Sequence, residues 1–325
     1  MRQQRQIITI ATGKKLYLDL AVNLARSFLL WHKGSDIVFQ LVTDLPDLIP
    51  GNIKPDISVI GIETGEIGRG FSTKLHLDKL VSDGQTLFID SDCLVYQNLD
   101  FVFRRFSGKA VSVVGNYISK GEWFGDVRQV CRYFGIKHMP KFNGGVYYLE
   151  KGDTASAVYQ TAREIEKNYD KIGFVRLRNR PNDEVILSVA MELHRQEPVP
   201  EDGSIMAEFV NFRSGVKSDL LRGVAELYNS PGHKHYQPGW PLSIAHPAIV
   251  HFLGDHNQKL PYLKEAMLLN YLYAGNGSEL TARVKTYLGI TIPYRIKLSL
   301  KNILRPFYHS LFGVRAIKKS ERIID

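Results

Sequence analysis

Short apolar runs alternate with stretches of helical period along most of the chain. Residues 6–11 (QIITIA) read as a strand, 12–15 (TGKK) as a turn, and 16–31 as a helix in which Leu16, Leu20, Leu24, Phe28 and Trp31 recur at helical spacing. Residues 36–43 (DIVFQLVT) and 57–62 (ISVIGI) are further strands, separated by a loop bearing Pro and Gly. Ser72 or Thr73 can cap a helix running to about Val81, with Leu75, Leu77 and Leu80 apolar. Beyond the strand at 86–89, the pattern predicts strands at 110–115, 142–149 and 248–252, and helices at 123–133, 154–169, 183–194 and 259–273. Residues 198–239 are rich in Gly, Pro, Asn and Ser and read as irregular. The alternation predicts an α/β fold with a mostly parallel central sheet flanked by helices, and ligands at the carboxyl ends of the strands.

One strand end carries the chemistry. Leu87, Phe88 and Ile89 lie between Asp83-Gly84 and Asp90-Ser91-Asp92, so a buried strand ends in two carboxylates one residue apart. Buried carboxylates need compensating charge from a cation, basic side chains or backbone amides. A hard divalent cation, Mg2+ or Mn2+, meets that need and keeps coordination positions open for a diphosphate. The tripeptide by itself is weak evidence, since a chain of 325 residues holds about one D-x-D by chance. Gly144 and Gly145, at the entry to a strand, point to close approach of a ligand or another backbone.

Composition narrows the class. With 44% hydrophobic and 23% charged residues the chain is globular rather than disordered, and no apolar run is long enough for a membrane span. The start, MRQQRQIITIAT, has too short an apolar part for a signal-peptide core and reads as the first strand. Two cysteines, Cys93 and Cys131, cannot build a disulfide framework, which fits a reducing compartment and a cytoplasmic address. Cys93 reads as a small buried residue. Residues 291–325 hold eight basic and two acidic side chains, so six of the nine net positive charges sit there. With no repeats and no clear linker, residues 1–290 read as one catalytic domain and 291–325 as a basic amphipathic tail. That basicity lacks any recognised nucleic-acid module, so no nucleic-acid partner is expected.

Four segments occur in order: STKLHLDKL (72–80), TLFIDSDCLV (86–95), KFNGGVYYLE (141–150) and HFLGDHNQKLPY (251–262). Together they resemble the retaining glycosyltransferases of family eight, the group containing glycogenins and bacterial lipopolysaccharide galactosyl- and glucosyltransferases. The resemblance spans residues 7–262 and implies a nucleotide-diphospho-sugar transferase fold of the GT-A type. It implies that Asp90, Asp92 and His251 hold Mn2+ (or Mg2+) against the diphosphate of a UDP-sugar; read alone, His251 is a hydrogen-bonded core histidine. Lys74 matches a phosphate-contacting position, its alternative being a solvated helix lysine. Gly254 and Lys259 match a closing H-x-x-G-x-x-K segment, with Lys259 two residues late and His256 or Asn257 as alternatives. Ala11, Thr12 and Tyr17 match the uridine pocket, Tyr17 being one residue further on than in glycogenins and otherwise a helix-face aromatic. Ser91, between the two aspartates, joins this nucleotide-binding set. Asn143, Gly144 and Gly145 match the F-N-x-G segment that lines the sugar site. Asp183 matches the aspartate of a D-Q pair near the reacting carbon, here followed by Glu184; otherwise it is a helix N-terminal acid.

The implied reaction moves a hexose from a UDP-sugar to a glycan or glycolipid acceptor, such as surface polysaccharide or lipopolysaccharide. The acceptor attacks on the face that UDP leaves, while Asp183 or Asn143 orients sugar hydroxyls or stabilises the oxocarbenium-like centre. The rival readings are a glycogenin-like self-glucosylating priming enzyme, a nucleotidyltransferase on a related fold, and a catalytically silent glycan- or lipid-binding module. In the tail, residues 294–304 place Ile296, Leu300, Ile303 and Leu304 on one side, with Arg295, Lys297 and Lys301 elsewhere, and Pro306 is expected to break the helix. A basic amphipathic end suits an anionic lipid surface on the cytoplasmic face of a membrane; its alternative is docking on its own domain.

Overall fold

Apolar runs without polar alternation become strands covered on both faces. In the computed structural model, which describes residues 4–275 and 278–314, they build a six-stranded sheet. The tail residues Arg315, Lys318, Lys319 and Arg322 lie outside the described residues. The chain divides into two compact units, Met1–Leu253 and Gly254–Asp325.

The first unit runs β1 (Arg5–Ala11), α1 (Lys15–His32), β2 (Ile37–Thr43), β3 (Ser58–Gly61), α2 (Leu77–Leu80), β4 (Gln85–Ile89), β5 (Cys93–Val95), α3 (Asp100–Phe106) and β6 (Val111–Ile118). It continues with α4 (Val127–Phe134), β7 (Met139–Glu150), α5 (Asp153–Lys167), α6 (Tyr169–Ile172) and α7 (Asp183–Leu193). Short strands follow: β8 (Met206–Glu208), β9 (Gly215–Asp219), β10 (Val224–Tyr228), β11 (Ile244–Ala245) and β12 (Ile249–His251). The main sheet has the order β3-β2-β1-β4-β7-β6. Its first four strands are parallel, as expected, and β7 and β6 extend it antiparallel. Successive residues of β4 feed opposite cores. Leu87 and Ile89 join Ile7 and the apolar faces of α1 and α3, whereas Phe88 joins Ile8 and those of α5 and α7.

A second sheet, β5-β12-β8, folds the residues after β4 back against the late strand that carries His251. A third, β11-β10-β9, has two of its strands, β9 and β10, in the stretch expected to be irregular. Its strands are too short and too polar on one face to show a period.

Other expectations are corrected. The helix predicted up to Val81 is a 3-10 segment, Gly70–His76, followed by the single turn of α2. Neither expected cap acts there: Ser72 donates to Glu166, and Thr73 Oγ1 bonds the Gly70 carbonyl at 2.9 Å. Such local bonds compete with α-helical ones. The helix predicted at 123–133 starts later, at Val127, because Phe124 and Gly125 have positive φ and Asp126 caps the amides of Arg128 and Gln129.

The second unit contains α8 (Tyr262–Tyr273), α9 (Glu279–Thr286), a π-helical turn at Tyr287–Thr291, and α10 (Ile292–Phe312). Pro306 does not end α10; the helix continues through it to Phe312. No residue of α10 is buried, so the carbonyl freed by the missing proline N–H faces water, which lowers the cost of an interior proline. No helix among the described residues is long and apolar enough to cross a membrane.

Candidate functional site

The carboxyl end of β4 is held open by a turn. Asp90 N–H donates to the Gly145 carbonyl at 2.9 Å, and Cys93 N–H returns to the Asp90 carbonyl at 3.0 Å. The chain then enters β5, whose Cys93 pairs with His251 of β12, while Phe252 N–H bonds the Asp92 carbonyl at 3.0 Å. Residues distant in sequence are thereby brought together. His251 Nε2 lies 3.0 Å from Asp92 Oδ1 and 3.9 Å from Asp90 Oδ2.

The other imidazole nitrogen fixes the ring. His251 Nδ1 lies 2.7 Å from Asn143 Oδ1, an oxygen that also accepts the Gly145 N–H at 3.0 Å. Because an amide oxygen only accepts, this assigns a proton to Nδ1; in the metal-free protein Nε2 is protonated as well and donates to Asp92, and only on losing that proton does it turn a lone pair toward the aspartates. Asn143 thus orients His251, and its glycines make room. A Cβ on Gly145 would come within 2.6 Å of His251 Nδ1, and one on Gly144 within 2.8 Å of the Tyr147 hydroxyl. The close approach expected at these glycines is made by side chains of the site.

Lys74 is the cation between the carboxylates. Its Nζ lies 2.7 Å from Asp90 Oδ2, 2.8 Å from the Gly144 carbonyl and 3.6 Å from Asp183 Oδ2, over the rings of Phe88 and Tyr147. It is no solvated helix lysine: in this structure the charge it answers is that of Asp90 and Asp183. Burial works against its ammonium, but Asp183 and Asp90 outweigh burial and raise its proton affinity. Burial likewise raises Asp90 despite Lys74, whereas the neighbouring His251 overcomes burial at Asp92 and lowers it. His251 is pushed up to about 9, because Asp92 and Asp90 outweigh the burial that disfavours its charge.

Asp183 opens α7, where Asn182 caps the amides of Glu184 and Val185. The carboxylate is 2% exposed, accepts the Tyr147 hydroxyl and faces Lys74. Glu184 Oε1 accepts the Gly144 N–H at 2.8 Å, and burial followed by the charge of Asp183 raises its pKa to about 8.

The remaining expected residues are more dispersed. Parallel pairing of β1 with β4, Ile8 opposite Phe88, carries Ala11 and Thr12 to the same carboxyl end of the sheet at which Asp90, Ser91 and Asp92 emerge. Tyr17 stands 37% exposed on the first turn of α1. Gly254 and Lys259 belong to the other unit, where Lys259 pairs with Asp255. Sequence reasoning missed Asp44, which accepts the Gly13 N–H and the Thr64 hydroxyl and so fixes the turn after β1. An acid directly after the β2 run was the available signal. It also missed Tyr147, whose hydroxyl role nothing in an apolar strand announces.

The donor set fits a divalent cation. Asp92, Cys93 and His251 each bring a ligand atom into a group spanning 4.8 Å, and Asp90 lies beside them. Burial, then Asp92 and Asp90, push the Cys93 thiol well up, so it stays protonated and is the poorest of these donors for a hard ion. The oxygens of Asp90 and Asp92 with His251 Nε2 suit Mn2+ or Mg2+.

The fold is α/β, of the GT-A type. Among solved structures similar to it is the galactosyltransferase LgtC, crystallised with donor and acceptor sugar analogs: 13% identity, 84% of this chain and 96% of that chain covered, TM-score 0.54. Another is the apo form of the glycosyltransferase GlyE from Streptococcus pneumoniae TIGR4, with 14% identity and a TM-score of 0.51; 89% of this chain aligns with 64% of that one. No protein-family model and no curated protein matches the chain. At such identities the likeness establishes the fold.

Proposed function

We propose that the protein is a metal-dependent, retaining glycosyltransferase that transfers a hexose from a UDP-sugar to a glycan or glycolipid acceptor, surface polysaccharide or lipopolysaccharide among them. The observation that supports this most is the convergence of Asp90, Asp92 and His251 at the carboxyl end of β4, with Lys74 and Asp183 directly behind. Asp90, Asp92 and His251 would hold Mn2+ or Mg2+; when bound, the cation supplies positive charge to a departing diphosphate. Ala11, Thr12, Tyr17 and Ser91 would contact the nucleotide. Asp183, held by Tyr147 and Lys74, orients sugar hydroxyls. Asn143 spends its oxygen on His251 and Gly145, leaving its amide N–H groups for the sugar. A retaining hydrolase would need a carboxylate pair free to flank the anomeric carbon, and here the paired aspartates are engaged by His251 and Lys74.

The test is UDP release from a panel of UDP-sugars. Release from at least one donor should stop on chelation and return with Mn2+. Release from none, or equal release without metal, overturns the reading. A mass increase of the protein itself with donor alone would identify self-glucosylation instead.

The second unit supports a peripheral place on an anionic membrane surface, on the cytoplasmic side. Along α10, Ile292, Ile296, Leu300, Ile303, Phe307 and Leu311 form one apolar stripe, flanked by Lys297, Lys301 and Arg305, with no acidic residue in the helix. Ile303, Phe307 and Leu311 are each more than 60% exposed. Such a helix suits the interface of anionic lipid. Flotation with phosphatidylglycerol vesicles should recover the full chain and fail for a chain ending at Gly289. Equal recovery of both rules the surface out.

A further inference from the structure

Beside the group around His251, three charged side chains converge without touching. β8 pairs in parallel with β12 so that Glu208 lies opposite His251. In-register neighbours project to the same face of a sheet, which places Glu208 on the face where His251 meets Asp92 and Asn143. Lys141 lies two residues before Asn143 on β7, just ahead of the irregular stretch that begins after Phe142. Val199 pairs in parallel with Val114, bringing Glu201 toward the end of β6 where Asn116 pairs with Lys141.

Lys141 is exposed and the two glutamates are half-buried, and none of the three has a side-chain partner among the described residues. Among the described residues, no side-chain hydrogen bond and no ion pair within 4.0 Å involves Lys141, Glu201 or Glu208. They are nonetheless near enough to act on one another. Burial raises Glu208 against the pull of His251 and Lys141, and burial followed by Glu208 raises Glu201 to about 7. The charge of Glu208 also contributes to raising Glu184, after burial and Asp183. Half-buried carboxylates and an exposed ammonium that do not pair with one another keep donors and acceptors available to a molecule that both donates and accepts hydrogen bonds.

We propose that Lys141, Glu201 and Glu208 form the acceptor subsite, and that the acceptor presented there is an uncharged sugar. Its hydroxyls donate to Glu208 and Glu201 and accept from Lys141. At a pH above about 7, where Glu201 is ionised, two carboxylates against one ammonium disfavour a sugar acid at this position. The assignment rests on the glycosyltransferase reading and adds the acceptor's chemical class to it.

The experiment uses the full chain with Mn2+ and its preferred UDP-sugar, comparing methyl hexosides with the matching methyl hexuronides as acceptors. Neutral hexosides should accelerate UDP release and hexuronides should not. Glu208→Gln should raise the hexoside KM by about tenfold, the scale of one hydrogen bond to a charged group, while the donor KM moves far less. Glu208→Lys should reverse the preference, lowering the hexuronide KM relative to the hexoside KM. An unchanged hexoside KM in Glu208→Gln, or hexuronides used as well as hexosides by the wild type, overturns the subsite while leaving the transferase reading intact. Failure of the wild type to release UDP from any donor removes both.

Discussion

Lys74→Met lowers the stability of the folded protein by about 3–5 kcal/mol at neutral pH, the scale of removing one partner from a buried ion pair. Methionine keeps the apolar stem of the side chain and removes the ammonium, with its charge, its bond to the Gly144 carbonyl and its place over the rings of Phe88 and Tyr147. Asp90 loses a partner at 2.7 Å, and Asp183, 2% exposed, loses the ammonium 3.6 Å away. The deficit depends on pH with a definite sign. Without Lys74 the Asp90 carboxyl, already raised by burial, binds its proton still more tightly than in the unfolded chain, so the stability of the variant rises as the pH falls. Urea unfolding at pH 8 and pH 5 checks this: the deficit should be smaller at pH 5. Equal deficits at both pH values, or one below about 1 kcal/mol at pH 8, would show that Lys74 is not the compensating cation.

Asp92→Asn should cost at least about 100-fold in Mn2+ affinity, since loss of a mere supporting residue around a metal costs up to that much. Asparagine preserves the shape of the turn and removes the charge facing His251 Nε2. Mn2+-dependent UDP release should fall in step. If the variant and the wild type hydrolyse every donor equally, Asp92 is not a ligand. The metal-free protein supplies a second readout. His251 has its pKa raised from 6.5 to about 9, so the stability it contributes is complete below about 6.5 and is lost as the pH rises through about 9. Asp92 is the leading cause of that rise, so the imidazole resonances of Asp92→Asn should titrate lower than those of the wild type.

These outcomes turn on contacts that the sequence announced unevenly. The run from Leu87 to Ile89 and the acids after it identified a buried strand end in need of countercharge, because burial and desolvation follow from residue type. The ordered segments added His251 and Lys74 as companions. They did not show that Lys74 reaches Asp90 and Asp183, nor that Asn143 spends its oxygen on orienting His251. Lys74 meets Asp90 across only 16 residues, but its contact with Asp183 and that of Asn143 with His251 each span more than a hundred, set by the register of β4, β7 and the 3-10 segment.

Periodicity alone determined the alternation of strands and helices, the flanked parallel sheet and the basic amphipathic α10, since each rests on a pattern several residues long. Tertiary structure decided the rest. Segments 70–80 and 198–239 are too short or irregular to fix their own backbone, and took 3-10 and strand conformations from the surfaces they pack against. Glu208 is the clearest case: only the pairing of β8 with β12 puts it opposite His251, because a three-residue strand carries no signal of its partner.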